Sequence, residues 1–150
     1  MHRIFIALVV AALAAAPAVA TDKSDVMSVI HQWVDAFNKG DAKSATAACA
    51  DQTSIIDDFP PHEWHGTGAC AKWFSDFQAF AKAGEMTEAI VTVGKPTHVD
   101  VTADVAYVVA PTTFSFTQKD KPVKELGTIT LSLKKNAPGW RITGWAWADH

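Results

Sequence analysis

The stretch Val123 to Lys134, VKELGTITLSLK, sets Ile129, Leu131 and Leu133 on alternate positions with Thr128, Thr130 and Ser132 between them. A period of two belongs to a β-strand, whose successive side chains point to opposite faces, so one face of this strand is apolar and the other at least partly polar. The same period runs through residues 89–93, 105–116 and 140–147. Between these runs lie Gly94-Lys-Pro96, Thr102-Ala-Asp104, Lys119-Asp-Lys-Pro122 and Asn136-Ala-Pro-Gly139, each carrying Gly, Pro, Asn or Asp where the chain must reverse. From about Glu88 onward the chain therefore reads as four strands of an antiparallel meander, with the first break alternatively a bulge inside a longer strand. On the last strand, Trp145 and Trp147 share one face, opposite Ile142, Gly144 and Ala146.

Upstream the period changes. Val26, Ile30, Trp33, Val34 and Phe37 recur at helical spacing, Asp22 and Ser24 offer N-caps, and Asn38-Lys39-Gly40 supplies a left-handed stop. Asp41 caps a second, short, alanine-rich helix through about Ala50, and Thr53 to Asp58 has the β-branched content of a strand that Pro60-Pro61 ends. Thr67 caps a third helix in which Cys70, Trp73, Phe74, Phe77 and Phe80 or Ala81 form an apolar stripe ending at Gly84. Helices first and a curved sheet after them predict an α+β architecture, with three helices covering the concave apolar face.

Residues 1–20 are set aside from the fold as a cleaved secretory signal peptide. His2 and Arg3 give a short basic start, Ile4 to Ala15 is an apolar run too short to span a bilayer, and Ala18-Val19-Ala20 is a small-x-small cleavage site that leaves Thr21 as the mature start. Export places the protein in the periplasm or outside the cell, and after cleavage no segment of the sequence is long and apolar enough for a membrane. Residues 21–150 suit a single domain with one core. Of 13 basic residues Arg3 falls in the signal, leaving 12 against 16 acidic ones, a formal charge of −4, with the lysines scattered. Nucleic acid is not an expected partner. The two cysteines, Cys49 and Cys70, are expected to pair in an oxidising compartment, closing a loop worth about 3 kcal/mol, the alternative being two small buried apolar side chains.

Candidate chemistry gathers in Thr53 to Gly66, TSIIDDFPPHEWHG, where adjacent carboxylates, two histidines and a tryptophan surround an apolar strand. Asp57 and Asp58 point to opposite faces of a regular strand, so one of them is expected to face the interior, and the plain alternative for either is a turn acceptor for backbone amides. Asn38-Lys-Gly-Asp41, this carboxylate strand, Glu63-Trp-His-Gly66 at the start of a helix and the closing Gly139-Trp-Arg-Ile-Thr-Gly-Trp-Ala-Trp147 together resemble the SnoaL-like branch of the nuclear transport factor 2-like superfamily, over nearly all of the mature chain. The resemblance implies a cone with a deep cavity, which some members use for catalysis and others for binding or assembly. It also implies a place for Asp57. Counting back from Gly66 sets it where the ketosteroid isomerases of the superfamily keep their general base, with His62 or His65 as a weaker candidate proton shuttle. The isomerases' oxyanion donors are not matched: Trp33 stands where they have a tyrosine, and Thr130 or Ser132 where they have a protonated aspartate, so steroid isomerisation is not expected.

His62 and His65 with Asp57 or Asp58 would be a poorly specific metal set on a loop, so neither a metal nor another cofactor is expected. Trp33, Trp64, Tyr107 and Trp145 are candidate linings of the cavity mouth, favouring a flat apolar or aromatic ligand, while the face carrying Thr113 and Ser115 is a candidate homodimer surface. Three functions follow in order of preference: a small-molecule binding module, a small cofactor-independent enzyme (an isomerase, cyclase or hydrolase) using Asp57 as base, and a homodimeric interaction module without a ligand.

Overall fold

In the computed structural model, residues 16–150 are described, with side chains from Asp22 onward. Most of the expected signal segment, residues 1–15, thus lies outside the described residues. No described helix is long and apolar enough to cross a membrane. Three helices, α1 (Ala16–Asn38), α2 (Ala42–Ala48) and α3 (Ala69–Ala83), accompany seven strands: β1 (Cys49–Ile56), β2 (Glu63–Thr67), β3 (Met86–Val93), β4 (His98–Thr102), β5 (Val105–Gln118), β6 (Lys121–Asn136) and β7 (Gly139–Asp149). The sheet order is β2-β1-β7-β6-β5-β3, with β4 also on β5, and only the β1–β7 pair is parallel. The architecture is the α+β cone, a curved and mainly antiparallel sheet whose concave face packs against the helices.

Several expectations meet the structure directly. Gly40 takes the left-handed conformation at φ 67° after α1, and Asp41 caps α2 by accepting the Ser44 amide at 3.0 Å. Lys119 and Asp120, both at positive φ, make the two-residue turn from β5 to β6, the form whose twist matches that of the strands. Others are corrected. Helix α1 is already helical at Ala16, ahead of the caps expected at Asp22 and Ser24, and alanine's high helix propensity accounts for the extension. Gly68, at φ 75°, and not Thr67, occupies the N-cap of α3; the Thr67 hydroxyl accepts from Gln52 instead. Residues 63–67 form a strand paired with β1, where a helix start was expected. The break at Gly94 resolves as the longer-strand alternative, because β3 and β4 lie end to end on one edge of β5, joined by the Gly94 amide to Pro111 O at 2.8 Å and the Thr97 amide to Val109 O at 2.9 Å.

The core forms between the concave face and α1 and α3. Ile129, Leu131 and Leu133 from β6 meet Val108 and Ala110 from β5, with Val26, Ile30 and Trp33 from α1 and Trp73 and Phe74 from α3 over them. Strand β7 departs from simple alternation. The register slips between Ser132 and Leu133, leaving Thr143 as an extra residue, so Ile142 pairs with Leu133 on the same face as Trp145 and Trp147 rather than opposite them. Gly144 next to the slip is required by contact: a Cβ there would stand 2.6 Å from Ser54 O of the parallel neighbour. The Cys49–Cys70 disulfide ties the start of β1 to the first turn of α3.

Candidate functional site

A cavity of about 190 Å³ opens between α1, α3 and the concave sheet. Its position follows from the packing: at one end of the cone β6 and β7 fill the interior with Leu133 and Ile142, while toward the other end aromatic rings stand around empty space. Trp33 and Val34 contribute from α1, Trp73 and Phe77 from α3, Phe114 and Phe116 from β5, and Trp145 and Trp147 from β7. The indoles are in mutual contact, Trp33 with Trp145 at 4.8 Å between ring centres, and Trp73 edge-on to Trp145 at 5.1 Å. Among the described residues no lysine, arginine or histidine lines the cavity, whereas Asp57, Asp58 and Glu125 do.

Asp57 follows the last residue of β1, and its position is set at three points. Its amide donates to His62 O at 3.0 Å, one carboxylate oxygen accepts the Asp58 amide at 2.9 Å, and the other accepts the Trp73 indole N–H at 2.8 Å. Burial pushes the Asp57 carboxyl up to about 7, with the neighbouring Asp58 adding to the rise and the Asp58 amide and Trp73 N–H opposing it. Its proton is therefore exchanged near neutral pH, the range in which a carboxyl group serves as acid or base. Asp57 combines the two readings of the sequence, as turn acceptor and as interior carboxylate. The expectation that one of the two aspartates faces the interior is corrected: β1 ends at Ile56, so strand alternation no longer applies and both line the cavity.

Trp33 lies in the wall at 4% exposure, and among the described residues its buried indole N–H has no acceptor. Trp73, whose ring centre lies 5.9 Å from that of Trp33, has its N–H satisfied by Asp57. The wall thus sets one carboxyl of high proton affinity among aromatic rings.

The other sequence candidates lie elsewhere. Trp64 is buried behind the wall, its N–H given to Asp76 at 2.8 Å and its ring against Phe59. Tyr107 is 46% exposed on the outer sheet face, edge-on to His98, because the inward positions of β5 are Ala106, Val108 and Ala110. His62 and His65 are exposed and absent from the lining, His62 near its own turn and His65 beside Glu63. Thr130 and Ser132 also face outward, Ser132 bonded to Thr143 at 3.0 Å, and Ile129 occupies the wall instead. His62 and His65 do not gather with Asp57 or Asp58 into a metal-ligating group among the described residues. A different trio does: oxygens of Asp58, Glu125 and Asp149 lie within 4.8 Å of one another at the mouth. Sequence reading passed over Trp73 as a ligand to Asp57, since its helical stripe spacing speaks only of core, and over Glu125 and Asp149, which only the sheet order brings together.

The chain matches the SnoaL-like domain family over residues 26–146. No curated protein sequence matches it. Among solved structures it is similar to a nuclear transport factor 2-like protein with a cystatin-like fold from Novosphingobium aromaticivorans, at TM-score 0.75 and 16% identity over 91% of this chain and 87% of that one. A nuclear transport factor 2-like superfamily protein from Salmonella enterica is similar at TM-score 0.73 and 17% identity, over 87% and 92%. A ketosteroid isomerase-like protein from Erwinia carotovora is similar at TM-score 0.68 and 16% identity, over 85% and 95%.

Proposed function

Since this chain belongs to the SnoaL-like domain family, whose fold supplies a cavity and no fixed chemistry, we propose that it is an exported binding domain that takes a small apolar or aromatic molecule into its cone. The observation that carries this reading is the open cavity of about 190 Å³, walled by indoles and phenyl rings. Its size decides the scale of the ligand. An engineered cavity of about 150 Å³ holds benzene and drug-sized pockets begin near 300 Å³, so one ring with a small substituent fits and a four-ring steroid does not. Titrating the protein with phenol, indole and benzaldehyde, while following tryptophan emission, tests the reading; saturable changes are expected because Trp33, Trp73, Trp145 and Trp147 all line the site. Emission unchanged by every compound, in protein folded by circular dichroism, would sink it.

A second reading has its own observation in the Asp57 carboxyl, poised to exchange a proton beside the bound molecule. In that reading Asp57 moves a proton on the ligand while Trp73 fixes its orientation, without help from His62 or His65. Turnover surviving intact in Asp57→Asn would remove it. For assembly we propose a homodimer through the outer sheet face, where Ile90, Tyr107 and Leu126 are 43%, 46% and 54% exposed among threonines. A monomeric mass by light scattering at micromolar protein would refute that.

A further inference from the structure

The cavity and its mouth differ in chemistry, and the difference selects a charge. Strands β1, β7 and β6 are neighbours in the sheet, so the end of β1, the end of β7 and the inward positions of β6 bring Asp58, Asp149 and Glu125 to one place. Gly127 pairs with Asp149, and Glu125 stands two residues along on the same face. Three carboxylates this close repel one another. Burial, and then the charges of Asp58 and Asp149, raise the proton affinity of Glu125. Among the described residues no cationic side chain lines the cavity to relieve them. Immediately inside stands Trp147, whose indole N–H is held by Asp149 at 2.8 Å, and Phe80, 42% exposed, lies on the rim. Aromatic faces attract cations through their quadrupole, so rings and carboxylates here point to the same sign of charge.

We propose that the ligand of this cavity is an organic cation, its ring-sized apolar body held among the indoles and its ammonium centre held at the mouth by Asp58, Glu125 and Asp149. The proposal rests on the binding function argued above and adds the charge. A small organic ammonium suits the site better than a metal ion. Calcium takes six to eight oxygen ligands, whereas the mouth gathers three carboxylates, one already accepting from Trp147, and the rest of the cavity lining is mainly apolar and aromatic.

Calorimetric titration with phenyltrimethylammonium chloride, with its uncharged isostere tert-butylbenzene and with calcium chloride separates the outcomes. The cation is expected to bind about tenfold or more tightly than the isostere at low ionic strength, and that preference is expected to shrink with added salt. In the double variant Glu125→Gln with Asp149→Asn, the ratio of the two affinities should fall about three- to tenfold. Because the ratio is measured within one protein, partial loss of folding does not imitate the result. Equal or tighter binding of tert-butylbenzene overturns the inference and leaves the binding function standing. Calcium that binds and displaces the cation makes the trio a metal site and overturns it too. Binding of neither organic compound removes the binding function together with the inference.

Discussion

The two ends of the cone are built from the same strands and do opposite things. At one end β6 and β7 bring Leu133 and Ile142, 2% and 0% exposed, against α1, and the disulfide between Cys49 and Cys70 clamps β1 to α3. At the other end the same two strands present Glu125, Gly127, Trp147 and Asp149 around a hollow. In β6 one alternation serves both ends, and in β7 the extra residue Thr143 keeps Ile142 on the face of Trp145 and Trp147, so residue type on that shared face decides which end is filled. Each end leaves one buried indole N–H unpaired among the described residues, Trp140 at the packed end and Trp33 at the hollow one, but it is the hollow end that carries a carboxyl displaced from its usual range and mutually repelling charges. Natural proteins concentrate such violations where they act.

The contrast breaks first if the packed end proves soft. Leu131→Ala, at a residue with no exposure, is expected to cost about 2–5 kcal/mol in urea denaturation because it removes a side chain and leaves a void. A loss below 1 kcal/mol, well under that range, would mean that this region is not the rigid half of the molecule.

Asp57 tests the hollow end through pH. Its carboxyl is raised from about 4 in the unfolded chain to about 7 in the fold, so the folded state binds the proton more tightly. The associated stability is therefore complete below about pH 4 and is lost as pH rises through about 7, an upper bound of about 4 kcal/mol. Asp22, Asp41 and Asp76, whose partners hold their carboxyls below the usual range, act in the opposite direction. They cancel when the profile of Asp57→Asn is subtracted from that of the wild type. The difference should run against the wild type as pH climbs from 4 to 7, and a flat difference would show that Asp57 is solvated like a surface carboxylate.

The clamp comes next. Replacing Cys49 and Cys70 by alanine should cost about 3 kcal/mol through the freed loop entropy and leave the ligand response of the hollow end intact. Loss of ligand response at a temperature where the variant is fully folded would join the two ends that the structure separates.

Much of this division was legible in the chain. The periods of α1 and β6 named the apolar faces, the cysteine count with the compartment named the disulfide, and Asp57, Trp33 and Trp145 were found by their order along the chain. What escaped depends on geometry that period does not encode. Glu63-Trp-His-Gly-Thr67 alternates over only five residues with Trp64 as its one large apolar side chain, too short a run for its period to declare a strand, and β1 makes it one by pairing with it. One extra residue at Thr143 reversed the facing read for Ile142. Tyr107 was assigned by its ring when its neighbours Ala106 and Val108, the buried pair, already held the inward positions. The mouth trio needed β1, β7 and β6 to be adjacent, a fact of strand order that no local pattern carries.

Gly127 is where the ends are most closely balanced, and it carries the smallest predicted effect. It lies on the inward face of β6 between Glu125 and Ile129, buried, with the ring of Trp147 laid across it. A Cβ at this position would stand 2.8 Å from two atoms of that ring and 2.9 Å from Ala148 O. Neither can yield freely: the carbonyl belongs to the strand, and the ring is held by its N–H bond to Asp149. Gly127→Ala should therefore cost about 1–3 kcal/mol by overpacking, despite alanine's better fit to a strand. The more informative readout is local. The displaced Trp147 should alter emission and weaken ligand binding without touching the packed end, so hydrogen exchange at Leu133 and Ile142 should follow only the change in global stability. If instead the substitution is neutral and binding is retained, Trp147 is free to move, and the mouth is defined by its carboxylates alone.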